Sequence, residues 1–249
     1  MDVPAALDPR LQPRPTSIRS DPRTWLEQVL AEPCLEWVRG WNGRTLDALG
    51  APEGSPTYSR ILAILDSKEK IPYVGRVLSL GGVQQYYNFW QDDVHVRGVW
   101  RRCPLDEYRK PSPAWEVVLD LDALSKEEGV TWVWAGSTVL DEGEGVEADR
   151  VLLSLSPGGS DAKHVREFDL RTKAFIPEAD GGFVVGEAKT GVDYLDRDTI
   201  LIGTDLGPGS LTDSGYPRQV REWKRGTKLA DAPGEASGTR TRILVPRAC

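Results

Sequence analysis

The chain has 249 residues, of which 39% are hydrophobic and 28% charged, a composition that supports a packed core and argues against intrinsic disorder. Lys and Arg total 31 against 38 Asp and Glu, so the formal net charge is −7. This acidic balance argues against a nucleic-acid or anionic-membrane partner, each of which selects a basic surface. No apolar run is long enough to span a membrane, and the N-terminus lacks the regions of a signal peptide, which indicates a cytoplasmic location.

Cysteine and tryptophan usage add two expectations. The chain has an odd number of cysteines, Cys34, Cys103 and Cys249, and they are too widely spaced to form a zinc-ligand pair. We therefore expect three reduced thiols. The chain has 9 Trp against 4 Phe, and in β architectures Trp often fills positions between packed sheets.

The N-terminal part of the chain is predicted to be helical. Residues 1–20 contain four prolines and no hydrophobic period, which indicates a disordered arm. Residues 21–66 then show helical spacing, beginning at Asp21, where an N-cap residue precedes a proline. The predicted helical stretches lie around Trp25, over Cys34–Leu49 and over Tyr58–Leu65.

After Ser67 the pattern changes to short runs of β-branched and aromatic residues separated by Gly, Pro, Asp and Asn, which predicts strands. The predicted strands are Tyr86–Trp90, Val94–Arg101, Trp115–Leu121, Val130–Trp134, Val151–Leu155, His164–Leu170, Phe183–Glu187, Thr199–Thr204 and Gln219–Lys224. A Val-Arg-Glu-aromatic sequence recurs at Val165–Phe168 and Val220–Trp223. Such a repeating strand unit is typical of a β-propeller blade, so residues 67–232 are predicted to form an incomplete propeller of about four blades. The fold class is therefore mainly β, a partial β-propeller preceded by an α-helical segment.

Several segments, in order along residues 19 to about 230, resemble the prolyl oligopeptidase family of serine peptidases. They are Asp21–Glu27, Trp37–Asn42, Tyr86–Asp92, His95–Arg102, Trp115–Asp122, Asp196–Thr199 and Gly203–Thr212. Arg23 stands where the family usually has an aromatic residue. The resemblance implies a seven-bladed propeller over an α/β-hydrolase domain, in which a Ser, Asp and His hydrolyse short peptides that the propeller admits. It also implies that the N-terminal helices pack against that hydrolase domain.

The length of the chain limits what it is expected to do alone. Residues 67–249 suffice for about four blades, so we expect the hydrolase domain to be absent and the chain to be inactive by itself. Residues 233–249 do not resemble the next blade, and the expected explanation is a truncated or frameshifted reading frame, with a natural short protein as the alternative. Because an incomplete ring leaves strand edges open, we also expect poor solubility or oligomers.

The chain's own reactive residues predict no catalytic, cofactor or metal site. Ser160 lacks the final glycine of a nucleophile elbow and is predicted to lie on a hairpin turn, with His164 just beyond it. His95 lies near Asp92 and Asp93, but the spacing is not that of a selective metal site.

Three further features each allow two interpretations. Trp132 and Trp134 are predicted to lie on the same face of one strand. They could form a platform for a ligand, but a core between blades is the favoured interpretation. The segment Gly203–Gly215 lacks the lysine of a phosphate loop and is predicted to be a long connection. Acidic pairs could be glycosidase carboxylates, although solvated loop charges are favoured. These pairs are Asp92/Asp93, Glu127/Glu128 and Glu142/Glu144.

The favoured function is therefore the N-terminal portion of a prolyl-oligopeptidase-like serine endopeptidase, which controls the access of peptides to a separate catalytic domain. A non-catalytic binding protein derived from a propeller is the main alternative. A Trp-rich β enzyme that uses carboxylates is a third. No cofactor is expected in any of the three.

Overall fold

The structure is a computed structural model that describes residues 22–28, 30–67, 69–143 and 145–233. The chain divides into two compact units, Met1–Leu65 and Asp66–Cys249. The predicted arm, the predicted helix cap Asp21 and residues 234–249 of the predicted tail lie outside the described residues, so the expectations for them stay predictions.

The first unit is helical, as its apolar spacing predicts. It contains a 3-10 helix at Thr24–Glu27, helix α1 at Glu32–Leu49, a second 3-10 helix at Pro52–Gly54 and helix α2 at Pro56–Leu65. The stretch around Trp25 is a 3-10 turn rather than part of a longer helix. The ring of Trp37 lies 6.3 Å from that of Trp25 and 6.0 Å from that of Trp41, and the Cys34 thiol donates to the Trp25 carbonyl at 3.1 Å. This short turn therefore directs Trp25 back onto α1.

The second unit begins with a four-stranded antiparallel sheet in the order β1-β2-β3-β4. Its strands are β1 Arg76–Leu80, β2 Val83–Trp90, β3 Val99–Pro104 and β4 Glu116–Asp120, with the short helix α3 at Leu105–Tyr108 after β3. The strand predicted over Val94–Arg101 is wrong at its start, because β3 begins only at Val99. The Asp92 carboxylate accepts hydrogen bonds from the backbone N–H groups of Val94 at 3.0 Å and His95 at 2.7 Å, which hold this segment in a turn.

The second sheet has five strands, with β5-β6-β7-β8 in order and β9 also paired with β7. The strands are β5 Trp132–Val139, β6 Arg150–Pro157, β7 Lys163–Asp169, β8 Ala174–Phe175 and β9 Val184–Ala188. Helix α4, Leu121–Glu128, precedes this sheet and was not predicted. Asp120 caps it by accepting hydrogen bonds from the N–H groups of Asp122 and Ala123, and Gly129 follows it at φ 67°.

The third sheet has the order β10-β11-β12, with strands β10 Gly191–Asp196, β11 Thr199–Gly203 and β12 Arg221–Lys224. The described residues therefore form three sheets, which confirms the predicted fold class of a partial β-propeller. About four blades were expected, and the described residues form three sheets because each unit is longer than expected. Strand β5 begins at residue 132 and β10 at residue 191, so a unit takes about 60 residues, more than a propeller repeat of ~40–50 residues.

Two hydrophobic clusters join the three sheets face to face. The first joins Tyr87, Trp100 and other residues of the first sheet to Val151, Leu153 and Phe168 of the second. The second joins residues of the second sheet to the third, and its buried members are Leu152, Val165, Phe183, Val185, Ile200, Ile202, Trp223 and Ala232. Adjacent residues of β6 thus enter opposite clusters, because successive side chains of a strand point to opposite faces.

A polar contact also links the first two sheets. Arg102 of β3 is buried, and its Nη1 donates to the Leu170 carbonyl at 2.7 Å and to the Tyr87 hydroxyl at 3.2 Å. Its Nε donates to Glu116 at 2.7 Å, and this hydrogen bond is the main reason that the pKa of Glu116 lies below its ordinary value. Arg102 is therefore satisfied on both sides of the boundary between the sheets.

Gly98 provides a test of the packing at the start of β3. Its φ is +108°, and an added Cβ would collide with the ring of Phe89. Gly136 of β5 has φ +129°, and a Cβ added there would meet no other atom within 4 Å, so Gly136 is a matched control for backbone strain alone. We expect Gly98→Ala to lower the free energy of unfolding by about 1–3 kcal/mol more than Gly136→Ala does, measured by urea denaturation. Equal losses in the two variants would contradict this account of Gly98.

Candidate functional site

Ser160 lies on the turn between β6 and β7, as predicted. Its Oγ donates to the Ala162 carbonyl at 3.2 Å, and its own carbonyl accepts a hydrogen bond from the Ser156 hydroxyl at 2.7 Å. The nearby His164 ring is engaged elsewhere, packing edge-on against Trp132 at 5.2 Å between ring centroids. Ser160 is exposed on this turn and its hydroxyl is occupied by a local contact, an arrangement typical of a turn residue.

The His95 region is organised by the carboxylate of Asp92. Asp92 Oδ1 lies 3.1 Å from His95 Nδ1, and Oδ2 accepts a hydrogen bond from the Trp90 indole at 2.8 Å. Desolvation would raise the pKa of Asp92, but the hydrogen bonds from His95, Trp90 and the Val94 N–H outweigh it and hold that pKa well below its ordinary value. In the described part of the chain, no three His, Cys, Asp or Glu residues are grouped so as to hold a metal ion.

Trp132 and Trp134 belong to the core, which confirms the favoured interpretation and makes the ligand platform wrong. Trp132 is buried, and its indole N–H donates to Glu128 at 2.8 Å. Trp134 packs at 5.1 Å against the ring of Phe89 and at 5.2 Å against that of Trp100, both in the first sheet. The two rings therefore fill the space at and beside the boundary between the first and second sheets.

Carboxylates of the acidic pairs are engaged by cations and hydrogen-bond donors of the protein. Glu128 accepts two hydrogen bonds from Arg166, at 2.8 and 3.0 Å, in addition to the one from Trp132. Glu142 pairs with Arg197, which also contacts Asp149 at 3.0 Å. Glu144 lies outside the described residues. The pairs that were considered as glycosidase groups thus include carboxylates that hold strands and turns together.

The segment Gly203–Gly215 connects β11 to β12, as predicted. Asp205 and Ser210 hold its first turn: Gly207 N–H donates to Asp205 at 2.9 Å, and Leu206 N–H donates to the Ser210 hydroxyl at 2.9 Å. Both bonds are local, so the glycines here serve a tight connection.

The most distinctive polar site joins the second and third sheets. Glu167 of β7 is fully buried and forms a bidentate ion pair with Arg225, with Nη1–Oε2 at 2.6 Å and Nη2–Oε1 at 2.9 Å. Glu167 also accepts hydrogen bonds from the Tyr194 hydroxyl at 3.0 Å and the Phe183 N–H at 3.1 Å. Arg225 donates in addition to the Gly181 carbonyl at 2.7 Å. The carboxylate is therefore fully coordinated by protein groups.

The electrostatics of this site follow from its burial. Burial and then the adjacent Glu167 carboxylate raise the pKa of Tyr194, so that its hydroxyl stays protonated and donates to Glu167. The hydrogen bond to Glu167 likewise raises the pKa of Arg225. Sequence reasoning did not single out this site, although Glu167 is the acidic residue of the repeated Val-Arg-Glu-aromatic sequence, and Arg225 stands two residues after the second copy.

The architecture defines a class: a mainly β chain of successive antiparallel sheets packed face to face, with a helical unit before it. In agreement, residues 7–183 match the model of the prolyl oligopeptidase N-terminal β-propeller domain. The chain therefore belongs to the prolyl oligopeptidase family, and the part of the family that it matches is the N-terminal β-propeller domain.

Relatives support the same assignment. The chain is 38% identical over 214 residues to an uncharacterized peptidase of Sinorhizobium fredii, covering 86% of this chain and 28% of the relative. It is 32% identical over 215 residues to an uncharacterized peptidase of Rickettsia prowazekii, covering 84% of this chain and 28% of that relative. It is also similar to the solved structure of a post-proline cleaving enzyme from Rickettsia typhi, with 32% identity, a TM-score of 0.70, and 85% of this chain and 30% of that chain covered. The chain thus spans under a third of the length of these proteins.

None of the helices in the described ranges combines the length and the apolar composition that crossing a bilayer requires.

The buried ion pair gives a direct test of what joins the second and third sheets. Replacing Glu167 with Ala removes the buried carboxylate that pairs with Arg225 and leaves only the largely exposed Asp198 as its ion-pair partner, so we expect the free energy of unfolding to fall by about 3–5 kcal/mol. Glu222 is the acidic residue of the second Val-Arg-Glu-aromatic copy and is only partly buried, so Glu222→Ala is a matched control with an expected loss within about 0.5 kcal/mol. Urea denaturation of the two variants measures both, and equal losses would contradict the role given to Glu167.

Proposed function

We propose that this chain is the propeller portion of a prolyl-oligopeptidase-like serine endopeptidase, in which it restricts access of substrates to a catalytic α/β-hydrolase domain. The observation that carries the proposal is the match of residues 7–183 to the family's propeller domain. The post-proline cleaving activity named for the similar Rickettsia typhi enzyme suggests peptides that contain proline as the substrates. The catalytic domain is the partner that this function requires. A cytoplasmic location, which the sequence analysis expects, stays a prediction.

The geometry is compatible with a restricting wall rather than with a catalytic centre. Several aromatic and charged side chains pack or form bonds between the sheets, as at Trp134, Arg102 and Glu167. Because the sheets are joined by apolar clusters and by a buried ion pair, the wall they form is stiff. A stiff wall can exclude a folded protein on size while admitting an extended peptide. The Trp132 and Trp134 rings are not available as the ligand surface that the binding-protein alternative would use.

The chain alone is expected to be inactive as a peptidase. The first assay combines a short fluorogenic peptide ending in proline with a serine-reactive phosphonate probe on the purified chain. We expect neither turnover nor labelling, because the Ser160 hydroxyl donates locally and is not paired with His164. Ser160→Ala is the matched control. Labelling that this variant abolishes would show that Ser160 is a nucleophile and would contradict the proposal.

Restriction of access requires a second assay that includes a catalytic domain. A chimaera in which this chain replaces the corresponding segment of the Sinorhizobium fredii peptidase should cleave the short peptide and leave a folded protein intact. Cleavage of both at similar rates would contradict a restricting role for the propeller portion.

Self-association is expected through open strand edges, and β1 and β4 are the two edge strands of the first sheet. Val77 of β1 and Val117 of β4 are 43% and 48% exposed there. We therefore expect oligomers by light scattering, and a shift toward monomer in the double variant Val77→Thr, Val117→Thr. Val146→Thr, at a loop residue that is 47% exposed, is the control and should leave the distribution unchanged. A monodisperse monomer of the unaltered chain would contradict this expectation.

A further inference from the structure

A cavity of about 520 Å³ lies between the second and third sheets, away from the Glu167 site. It is bounded by the β6–β7 turn, by the segment that joins β9 to β10 and by the end of the β11–β12 connection. Its volume falls within the range of about 300–1,000 Å³ that is usual for small-molecule sites. The cavity is formed by residues of the second unit alone and is therefore defined by the packing of these two sheets.

The charge of the cavity is opposite to that of the chain. Lys163, Lys189 and Arg218 line it together with one acidic residue, Asp161, whereas the whole chain carries a net charge of −7. Cations that collect in a concave site of an acidic protein focus a positive potential there. The lining thus favours an anion over a cation or a neutral polar ligand.

Two of the three cations already have protein partners. Lys189 Nζ donates to the Ser214 carbonyl at 2.8 Å, lies 3.5 Å from Asp161, and sits 4.4 Å from the centre of the Tyr216 ring. Arg218 lies 3.8 Å from Asp213. These contacts orient the connection that forms one wall of the cavity.

Lys163 differs from the other two. Its ammonium forms no ion pair or side-chain hydrogen bond with any residue in the part of the chain that the structure describes. It is partly buried at the start of β7, and desolvation lowers its pKa without an opposing carboxylate. A desolvated ammonium that lacks a partner has unused capacity for a charge-assisted hydrogen bond.

The remaining lining narrows the class of anion. Val192, Pro217 and Val220 are apolar, and they lie in the same cavity as Lys163. A single unpaired ammonium matches a single negative charge better than a phosphate dianion, and the apolar residues favour a hydrocarbon group attached to that charge. A ligand that carries one carboxylate on a small aliphatic group provides both the single negative charge and the hydrocarbon group.

The walls are held in place before any ligand binds. The hydroxyls of Thr190 and Thr204 lie 2.7 Å apart in a buried hydrogen bond, and the Tyr216 N–H donates to the Thr212 hydroxyl at 3.0 Å. A site that is already ordered loses less conformational entropy on binding than a flexible one.

From this geometry we propose that the cavity between the second and third sheets binds a monocarboxylate with a small apolar group, such as the C-terminal residue of a peptide, with Lys163 holding the carboxylate. The proposal concerns this chain's own residues and does not depend on its being part of a peptidase.

Calorimetric titration of the full chain tests the proposal with N-acetyl-leucine, the peptide acetyl-Ala-Leu and the C-terminal amide of each. The amides keep the shape and remove the charge, so we expect both acids, or the peptide acid alone, to bind and neither amide to do so. Binding of both acids identifies a general carboxylate site, and binding of the peptide acid alone identifies a peptide C-terminus; each supports the proposal. No binding of either acid at about 10 mM, or equal binding of acid and amide, would overturn it.

Variants locate the site. Lys163→Gln should weaken acid binding about tenfold or more through loss of one charge-assisted hydrogen bond, while Lys163→Arg should retain most of it. Lys126→Gln, at an exposed lysine of α4, is the matched control and should bind as the unaltered chain does. Circular dichroism establishes that Lys163→Gln remains folded. If Lys163→Gln does not fold, Lys163→Met replaces it, and loss of binding in a folded Lys163→Met variant supports the proposal in the same way. Unchanged affinity in either folded variant would refute the assignment of Lys163.

Discussion

The burial of strand β6 on both faces is the constraint on which the rest of the propeller portion depends. Val151, Leu152, Leu153 and Leu155 have no exposed surface. Val151 and Leu153 enter the cluster shared with the first sheet, and Leu152 enters the cluster shared with the third. Because the side chains of a strand alternate, a slip of one residue in the pairing of β6 would exchange its two faces and disrupt both clusters at once. The pairing register of β6 therefore determines which side chains the middle sheet presents to each of its neighbours.

Apolar packing alone would leave the angle between sheets poorly specified, and buried polar groups restrict it. Glu167 and Arg225 meet with two hydrogen bonds, which requires the planes of the two groups to align. Arg102 links the first and second sheets by one hydrogen bond, from its guanidinium to the Leu170 carbonyl. A buried charge that loses its partner is costly, so arrangements that separate these groups are strongly disfavoured. Each boundary thus combines a hydrophobic cluster with one directional contact.

The sequence predicts the elements that carry a strong apolar signal and fails where that signal is weak or contacts are distant. Strands β6 and β7 were predicted from their runs of apolar and β-branched residues, and helix α1 from apolar residues three or four positions apart, although Cys34 is its one buried residue. Strand β10 was not, because its residues are half-buried or exposed and show no clean alternation. Helix α4 spans only eight residues, too few for a helical period to stand out, although its Asp120 cap and Gly129 end were visible.

The candidate sites were harder to predict from the sequence than the strands and helices. The pairing of Glu167 with Arg225 joins residues 58 positions apart, and no local pattern encodes such a distance. Conversely, Trp132, Trp134 and Glu128 have the chemistry of binding residues in the sequence, but the fold uses them to fill and join its sheets.

A propeller needs its aromatic and charged residues at the boundaries between sheets, so an abundance of them is a property of the architecture before it is a sign of function. Function is better sought where the boundary opens and a charged group is left without a partner. Between the second and third sheets that place is the cavity beside Lys163, where the packing of the strands ends and the turns diverge. At Glu167, on the same boundary, the carboxylate has all its partners within the protein and no capacity for a ligand. On this one boundary, Glu167 has all its hydrogen-bond partners within the protein and holds the sheets together, whereas Lys163 lacks a partner among the described residues and can bind another molecule.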